Sequence, residues 1–234
     1  MKTVIVSGGN VNDAFVKDYL KEYKADYYIG VDRGIGFFVR NEILPNLIVG
    51  DFDSCDKEDF ETLEAKYKEK LEIIKLFPEK DDTDTEHALV EAIKRGSKEI
   101  VIFGGTGSRL DHVLANITML GLGLADNNIA MPGLADNKAV AREELAICLV
   151  DEHNRIRMID KELTIKKNEQ FGKYFSLIPF TPEVRGLTVK GAKYPVENFI
   201  MGGFKSLGVS NEIVDEKVEI KFESGLLLVI ESRD

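Results

Sequence analysis

The sequence has little from which a disulfide framework or a soft-metal site is built. Only two cysteines occur, Cys55 and Cys148, and neither belongs to a Cys-x-x-Cys pair. Cys55 has no flanking base or cation to lower its pKa and is read as inert. His87, His112 and His153 share no metal-ligand spacing. No apolar run reaches the roughly 20 residues that span a bilayer. The opening Met1–Ser7 meets Gly8-Gly9 before a signal-peptide core forms. Cations are also short: Lys+Arg 31 stands against Asp+Glu 41, a formal charge of −10. A nucleic-acid backbone, which binds through cationic side chains, is a poor partner for such a chain. These absences predict a soluble, reduced, cytoplasmic protein with neither a nucleic acid nor a membrane as partner.

What is present is enough chain for one large domain or two small ones, 234 residues of which 44% are hydrophobic. Up to about residue 120, short β-branched runs alternate with amphipathic helices. Thr3–Ser7, Tyr27–Val31, Leu47–Val49, Glu72–Leu76 and Glu99–Phe103 read as strands. Asn12 can cap a helix carrying Phe15, Tyr19, Leu20 and Tyr23, and Phe60, Leu63 and Tyr67 mark another. The alternation predicts an α/β domain with a mostly parallel sheet, whose ligands lie beyond the carboxyl ends of the strands. From about residue 144 the helical period is gone. Leu145–Val150, Ile156–Ile159, Leu163–Ile165, Tyr174–Phe180, Leu187–Val189 and Val218–Ile230 read as strands. The last is expected to be a hairpin turning at Glu223-Ser224-Gly225. An all-β domain, a β-sandwich or small barrel, is the expectation. Residues 1–140 are assigned to the first domain and 141–234 to the second. The near-repeat of Gly123–Asn127 as Gly133–Asn137 is read as a connecting segment.

Three loops can carry chemistry. Gly50-Asp51-Phe52-Asp53-Ser54 follows the third strand. If that segment is extended, Asp51 and Asp53 project to one side, and their oxygens suit Mg²⁺. The same spacing is also that of an ordinary loop in which Asp and Ser bond local backbone. Asp81-Asp82-Thr83-Asp84 precedes a helix expected over Thr85–Arg95, with Thr83 and Glu86 as a capping box and Gly96 as the stop. Acids there complement the helix dipole, and if the strand ends adjoin they also join Asp51 and Asp53 in one metal-holding pocket. Gly104-Gly105-Thr106-Gly107-Ser108-Arg109 links a strand to a helix, the layout that turns backbone N–H groups toward phosphate. It lacks the Gly-Lys-Ser/Thr ending of a Walker loop and the glycine spacing of a dinucleotide fingerprint. Asp32 ends the second strand and can accept from a ribose or base, or be an exposed turn acid.

Taken in order, Gly50-Asp51-Phe52-Asp53-Ser54, Asp81-x-Thr83-Asp84 and Gly104-Gly105-Thr106-Gly107-x-Arg109-Leu110-Asp111-His112 resemble the thiamine pyrophosphokinase family. Asp151-Glu152-x-Asn154, Gly186–Tyr194 and Ser206–Glu212 extend the resemblance over nearly the whole chain. Leu122–Glu143 is longer than the family's connection, and Arg33 stands where its pattern has a small residue. The resemblance implies an α/β domain followed by a β-sandwich, in a homodimer. It implies transfer of the pyrophosphoryl group of ATP to the hydroxyl of thiamine, giving thiamine diphosphate and AMP. Asp53, Asp81 and Asp84 then correspond to the Mg²⁺ site, and Asp32, Gly104, Gly105, Thr106, Gly107 and Arg109 to the ATP site. Asp51, Ser210 and Asn211 correspond to thiamine contacts, in a cleft shared between subunits. Asp51, Arg109 and Asp111 are the catalytic candidates, and either Asp51 or Asp111 can take the hydroxyl proton or orient Arg109 or the thiamine ring. Two other readings stand beside this one. Asp51-x-Asp53 with Lys80 and Asp81-Asp82 imitates a Mg²⁺-dependent phosphoaspartyl phosphatase, with the acid pair after the wrong strand. A non-catalytic nucleotide-binding protein is the other.

Overall fold

The computed structural model describes residues 1–53, 55–67, 70–77, 82–124, 145–202 and 205–234. The chain packs as two units, residues 1–122 with 145–152, and residues 123–124 with 153–234. The boundary expected between residues 140 and 141, like most of the connecting segment, lies outside the described residues.

In the first unit strands and helices alternate: β1 (Lys2–Val6), α1 (Asp13–Tyr23), β2 (Tyr27–Val31), α2 (Ile35–Arg40), β3 (Leu47–Gly50), α3 (Lys57–Tyr67), β4 (Glu72–Lys75), α4 (Asp84–Lys94), β5 (Glu99–Phe103), α5 (Leu110–Met119) and β6 (Ala146–Val150). All pairings are parallel, in the order β4-β3-β2-β1-β5-β6. Val4, Ile5, Val6, Leu47, Ile48, Val49 and Ile102 are fully buried, as expected of strands covered on both faces. Asn12 caps α1, its Oδ1 accepting from the Phe15 N–H at 3.1 Å. The apolar side of α1 lays Phe15 and Tyr19 edge-on against Phe103. Thr83 caps α4 through the Glu86 N–H at 3.1 Å, and Gly96 leaves the helix at φ +82°. Five apolar residues of α4, Ala88, Leu89, Val90, Ala92 and Ile93, are buried, and each large one contributes roughly 1.5–3 kcal/mol.

Ala146–Val150 departs from expectation. Read as the first strand of the β-rich half, it pairs in parallel with β5 and completes the α/β sheet. A strand's partner is set by packing, and this short apolar run carries no mark of its pairing direction.

The second unit is an antiparallel sandwich. Strands β7 (Asn154–Ile159), β9 (Tyr174–Pro179) and β13 (Leu227–Ser232) lie in the order β7-β13-β9. Facing them are β11 (Val196–Gly202), β10 (Glu183–Lys190), β12 (Lys217–Lys221) and β8 (Leu163–Lys166), in that order. Phe175, Leu177, Leu227 and Val229 from one layer meet Val184, Leu187, Val189, Val218 and Ile220 from the other. The expected hairpin over Val218–Ile230 is corrected here. Lys217–Lys221 pairs with β10 and β8, while Leu227–Ser232 pairs with β7 and β9. The turn at Glu223-Ser224-Gly225, with Gly225 at φ +103°, carries the chain from one layer to the other. Alternation along both strands is satisfied either way, because both inner faces look into the same core. Val196–Gly202 escapes the pattern because only Met201 in it is buried.

Among the described residues no helix is long and apolar enough to cross a membrane.

Candidate functional site

Strand order decides where the site lies. From β1 the chain winds outward through β2, β3 and β4, then returns to place β5 on the other side of β1. The loops after β1 and β5 therefore part at the point where the winding reverses, leaving a crevice at the carboxyl ends of the strands. A cleft of ≈ 470 Å³ occupies that crevice.

One wall is the glycine loop after β5, Gly104 to Arg109. The facing segment, Ser7–Asn10 after β1, is bonded to it: Ser7 N donates to Phe103 O (2.8 Å), Gly9 N to Gly104 O (2.9 Å) and Asn10 N to Thr106 O (3.0 Å). These contacts require glycine. A Cβ on Gly9 would lie 2.3 Å from Thr106 O and 2.4 Å from Gly104 O, and Gly104 itself has φ +66°. Buried bonds then lock the frame. Asn116 Nδ2 donates to Gly105 O at 2.7 Å, and the Ser7 and Thr85 hydroxyls meet at 2.5 Å, tying β1 to the first turn of α4. Thr106 Oγ1 donates to Asp151 Oδ2 at 2.9 Å, while the Asn12 amide donates to Glu152.

The expected site residues distribute unevenly. Asp32, Gly104, Gly105, Thr106, Gly107, Arg109 and Asp84 all line the cleft, with Asp84 the first residue of α4. Asp51 and Asp53 do not line it. Their segment is a turn rather than an extended strand, with Phe52 at φ +62°, and Asp51 Oδ1 accepts from the Asp53 N–H at 3.0 Å. The extended backbone on which their projection to one side was predicated is therefore absent, and the local amide takes one carboxylate oxygen. Gly50 brings that turn against Asp32: a Cβ there would sit 2.1 Å from Asp32 Oδ1. Asp81 lies outside the described residues. Asp111 is engaged with Arg109, Nε to Oδ1 at 3.2 Å and Nη2 to Oδ2 at 2.6 Å, both side chains being exposed. The Arg109 hydrogen bonds, with the His112 N–H and the Arg109 charge, hold the Asp111 carboxyl down at about 2. Burial, then the charge of Asp32, pushes the Cys55 thiol up, which agrees with an inert cysteine.

Sequence reasoning missed Ser7–Asn10, Arg33, Thr85 and Asn116. Only the first left a signal, Ser-Gly-Gly-Asn directly after a strand.

Ser210 and Asn211 belong to the second unit. Ser210 is exposed at φ +59°, its N–H donating to Ser176 Oγ at 3.0 Å. Asn211 is buried and its amide serves the backbone: Oδ1 accepts from the N–H groups of Tyr194 (3.0 Å) and Glu212 (2.9 Å), and Nδ2 donates to Tyr194 O (2.9 Å). Asn211→Ala is expected to cost about 1–3 kcal/mol by stranding those groups, checked by urea unfolding.

Among the described residues no three His, Cys, Asp or Glu side chains form a metal cage. Mg²⁺ does not need one, since one or two carboxylates plus substrate phosphates and water complete its shell. Asp32 and Asp84, lining one cleft with a phosphate-type loop, are a donor set of that kind.

Comparison with known proteins identifies the family. The family model described as thiamin pyrophosphokinase, catalytic domain, matches residues 18–130, and its vitamin B1 binding domain matches residues 161–227. The chain is 34% identical over 238 residues to the thiamine pyrophosphokinase of Bacillus subtilis (strain 168), covering 100% of both. A crystal structure of thiamine pyrophosphokinase from Bacillus subtilis matches with a TM-score of 0.82 at 31% identity, over 100% of each chain. That of thiamin pyrophosphokinase from Geobacillus thermodenitrificans matches at 0.80 and 29%, over 100% of this chain and 98% of the other. With both parts matched in order and a relative aligned from end to end, the chain belongs to the thiamine pyrophosphokinase family.

Proposed function

We propose that this protein transfers the pyrophosphoryl group of ATP to the hydroxyl of thiamine, releasing AMP and thiamine diphosphate. The observation that carries the reading is the cleft at the reversal of the sheet, with the Gly104–Arg109 loop as one wall and the first turn of α4 as another. Backbone N–H groups and a helix N-terminus oriented there favour a polyphosphate.

The hydroxyl must attack the β-phosphorus, so both ends of the triphosphate have to be gripped and its middle exposed. In this reading the glycine-loop amides and Arg109 hold the chain in line. Positioning of that kind lowers a barrier by up to roughly 7–11 kcal/mol. Asp84 would hold Mg²⁺ together with Asp32, and Asp53 and Asp81 complete the set implied by the family pattern. When bound, the cation neutralises charge on the phosphate oxygens. Asp111 orients Arg109 through their two hydrogen bonds, and either Asp51 or Asp111 takes the hydroxyl proton. Ser210 contacts thiamine, and Asn211 shapes the loop that presents it.

A homodimer with the thiamine site shared between subunits belongs to the same reading. The exposed Ile200, Leu207, Val209 and Val214 of the second unit support it. A cytoplasmic location, where ATP is at hand, is also part of this proposal. Incubation with ATP, Mg²⁺ and thiamine is expected to yield AMP and thiamine diphosphate in equal amounts. Inorganic phosphate without acceptor would point to the phosphatase, and nucleotide binding without turnover to the regulator.

A further inference from the structure

Three successive carbonyls of the loop after β5 are each taken up by a donor from outside it. Gly104 O accepts from the Gly9 N–H at 2.9 Å, Gly105 O from Asn116 Nδ2 at 2.7 Å and Thr106 O from the Asn10 N–H at 3.0 Å. The N–H groups that follow these carbonyls, those of Gly105, Thr106 and Gly107, have no acceptor among the described residues, and all three residues line the cleft.

The three tethers are not alike. Two come from backbone N–H groups of the Ser7–Asn10 segment, which almost any sequence supplies once that segment is in place. The middle one comes from a side chain of α5. Asn116 is buried, and an amide there costs free energy unless it is bonded. The peptide it holds is also the one with the least preference of its own, because Gly105 accepts either orientation of the plane that follows it. Apolar atoms crowd Gly105 on another side: a Cβ there would lie 2.5 Å from Leu149 Cδ2 and 3.5 Å from Ile102 Cγ2. In a trans peptide the C=O and N–H point in opposite directions, so fixing Gly105 O on Asn116 turns the Thr106 N–H away from it. The plane therefore sets the sign of the local dipole, since an N–H attracts an anion and a carbonyl repels it.

Resting on the reading of the cleft as a polyphosphate site, we propose that Asn116 is a positioning residue for the phosphoryl donor. By holding the Gly105 carbonyl on α5 it presents the Thr106 N–H to a phosphate oxygen. It touches no reacting atom. Thr106 Oγ1, donating to Asp151 Oδ2 at 2.9 Å beyond the end of β6, steadies the same residue.

The test uses the full chain with Mg²⁺ and two variants. Asn116→Leu keeps the side-chain volume, Asn116→Ala gives it up, and both lose the donor without bringing a charge. In titration calorimetry both are expected to bind tripolyphosphate about tenfold more weakly, the loss of one amide hydrogen bond to a charged oxygen, and thiamine within about twofold. The KM for ATP should rise by a similar factor and that for thiamine should stay. Melting points should fall by a few degrees only, and Asn116→Ala decides if Asn116→Leu does not fold. Folded variants that melt lower but hold tripolyphosphate as wild type does overturn the inference and leave Asn116 a staple of α5. Equal losses for tripolyphosphate and thiamine overturn it as well. Wild-type protein that binds no tripolyphosphate defeats the reading of the cleft and this inference with it, whereas binding by wild type and both variants alike defeats the role of Asn116 alone.

Discussion

Asp84→Asn is expected to lower thiamine diphosphate formation at least about 100-fold, equivalent to roughly 2.7 kcal/mol of barrier. Asp84 holds two positions at once: it is the first residue of α4 and a wall of the cleft. At a helix start its charge contributes only about 0.3–1 kcal/mol to stability, and Thr83 continues to cap the helix. Melting should therefore shift by no more than a few degrees. Activity and stability separate in this variant, which is the signature of a charge kept for a ligand. Steady-state AMP release at saturating Mg²⁺, beside a thermal melt, gives both numbers. Turnover within a factor of a few of wild type would remove Asp84 from the metal site.

The largest stability loss is expected at Glu231. Its side chain is fully buried on β13 and is held by Arg155 (Nε to Oε2 2.9 Å, Nη2 to Oε1 2.8 Å), by Arg157, and by the Phe171 N–H at 3.1 Å. Glu231→Ala leaves two half-buried guanidinium groups without their counter-charge, at a cost of about 3–5 kcal/mol. The pH dependence has a definite sign. Burial by itself raises the carboxyl, but the Arg155 hydrogen bonds, the two arginine charges and the Phe171 N–H together hold it below the usual range. A depressed folded pKa means stability that is present above the unfolded value, roughly 4.3, and lost as pH falls through the folded one. The stability gap between wild type and Glu231→Gln should accordingly be widest near pH 7 and shrink on acidification to about pH 3. A gap independent of pH would mean that Glu231 acts by packing alone.

How far the site was legible can be traced in particular residues. Thr83, Glu86 and Gly96 announced α4, and Asn12 announced α1, because capping is a bond between neighbours in the chain. The loop after β5 was legible for the same reason: strand, glycines and helix are consecutive. The conformation of the Asp51–Asp53 segment was not legible, since the sequence suits an extended strand end and a local turn equally, and the structure has the turn, with Asp51 Oδ1 accepting from the Asp53 N–H. That the Asn211 amide bonds the backbone of Tyr194 and Glu212 was likewise not legible. Nothing in Ser-Asn-Glu distinguishes an amide facing solvent from one facing backbone.

By itself the sequence determined the succession of elements, the two classes of architecture and the family, all of which rest on periodicity, caps and ordered motifs carried by adjacent residues. Only tertiary structure decided that Ala146–Val150 joins the parallel sheet, that Val218–Ile230 passes between two layers, and that the Ser7–Asn10 loop is a wall of the cleft. The physical reason is common to the three. Which strand lies beside which is settled by burial across the whole core, and segments nearly a hundred residues apart, Ser7 and Phe103, become hydrogen-bonded neighbours with no local signal of it.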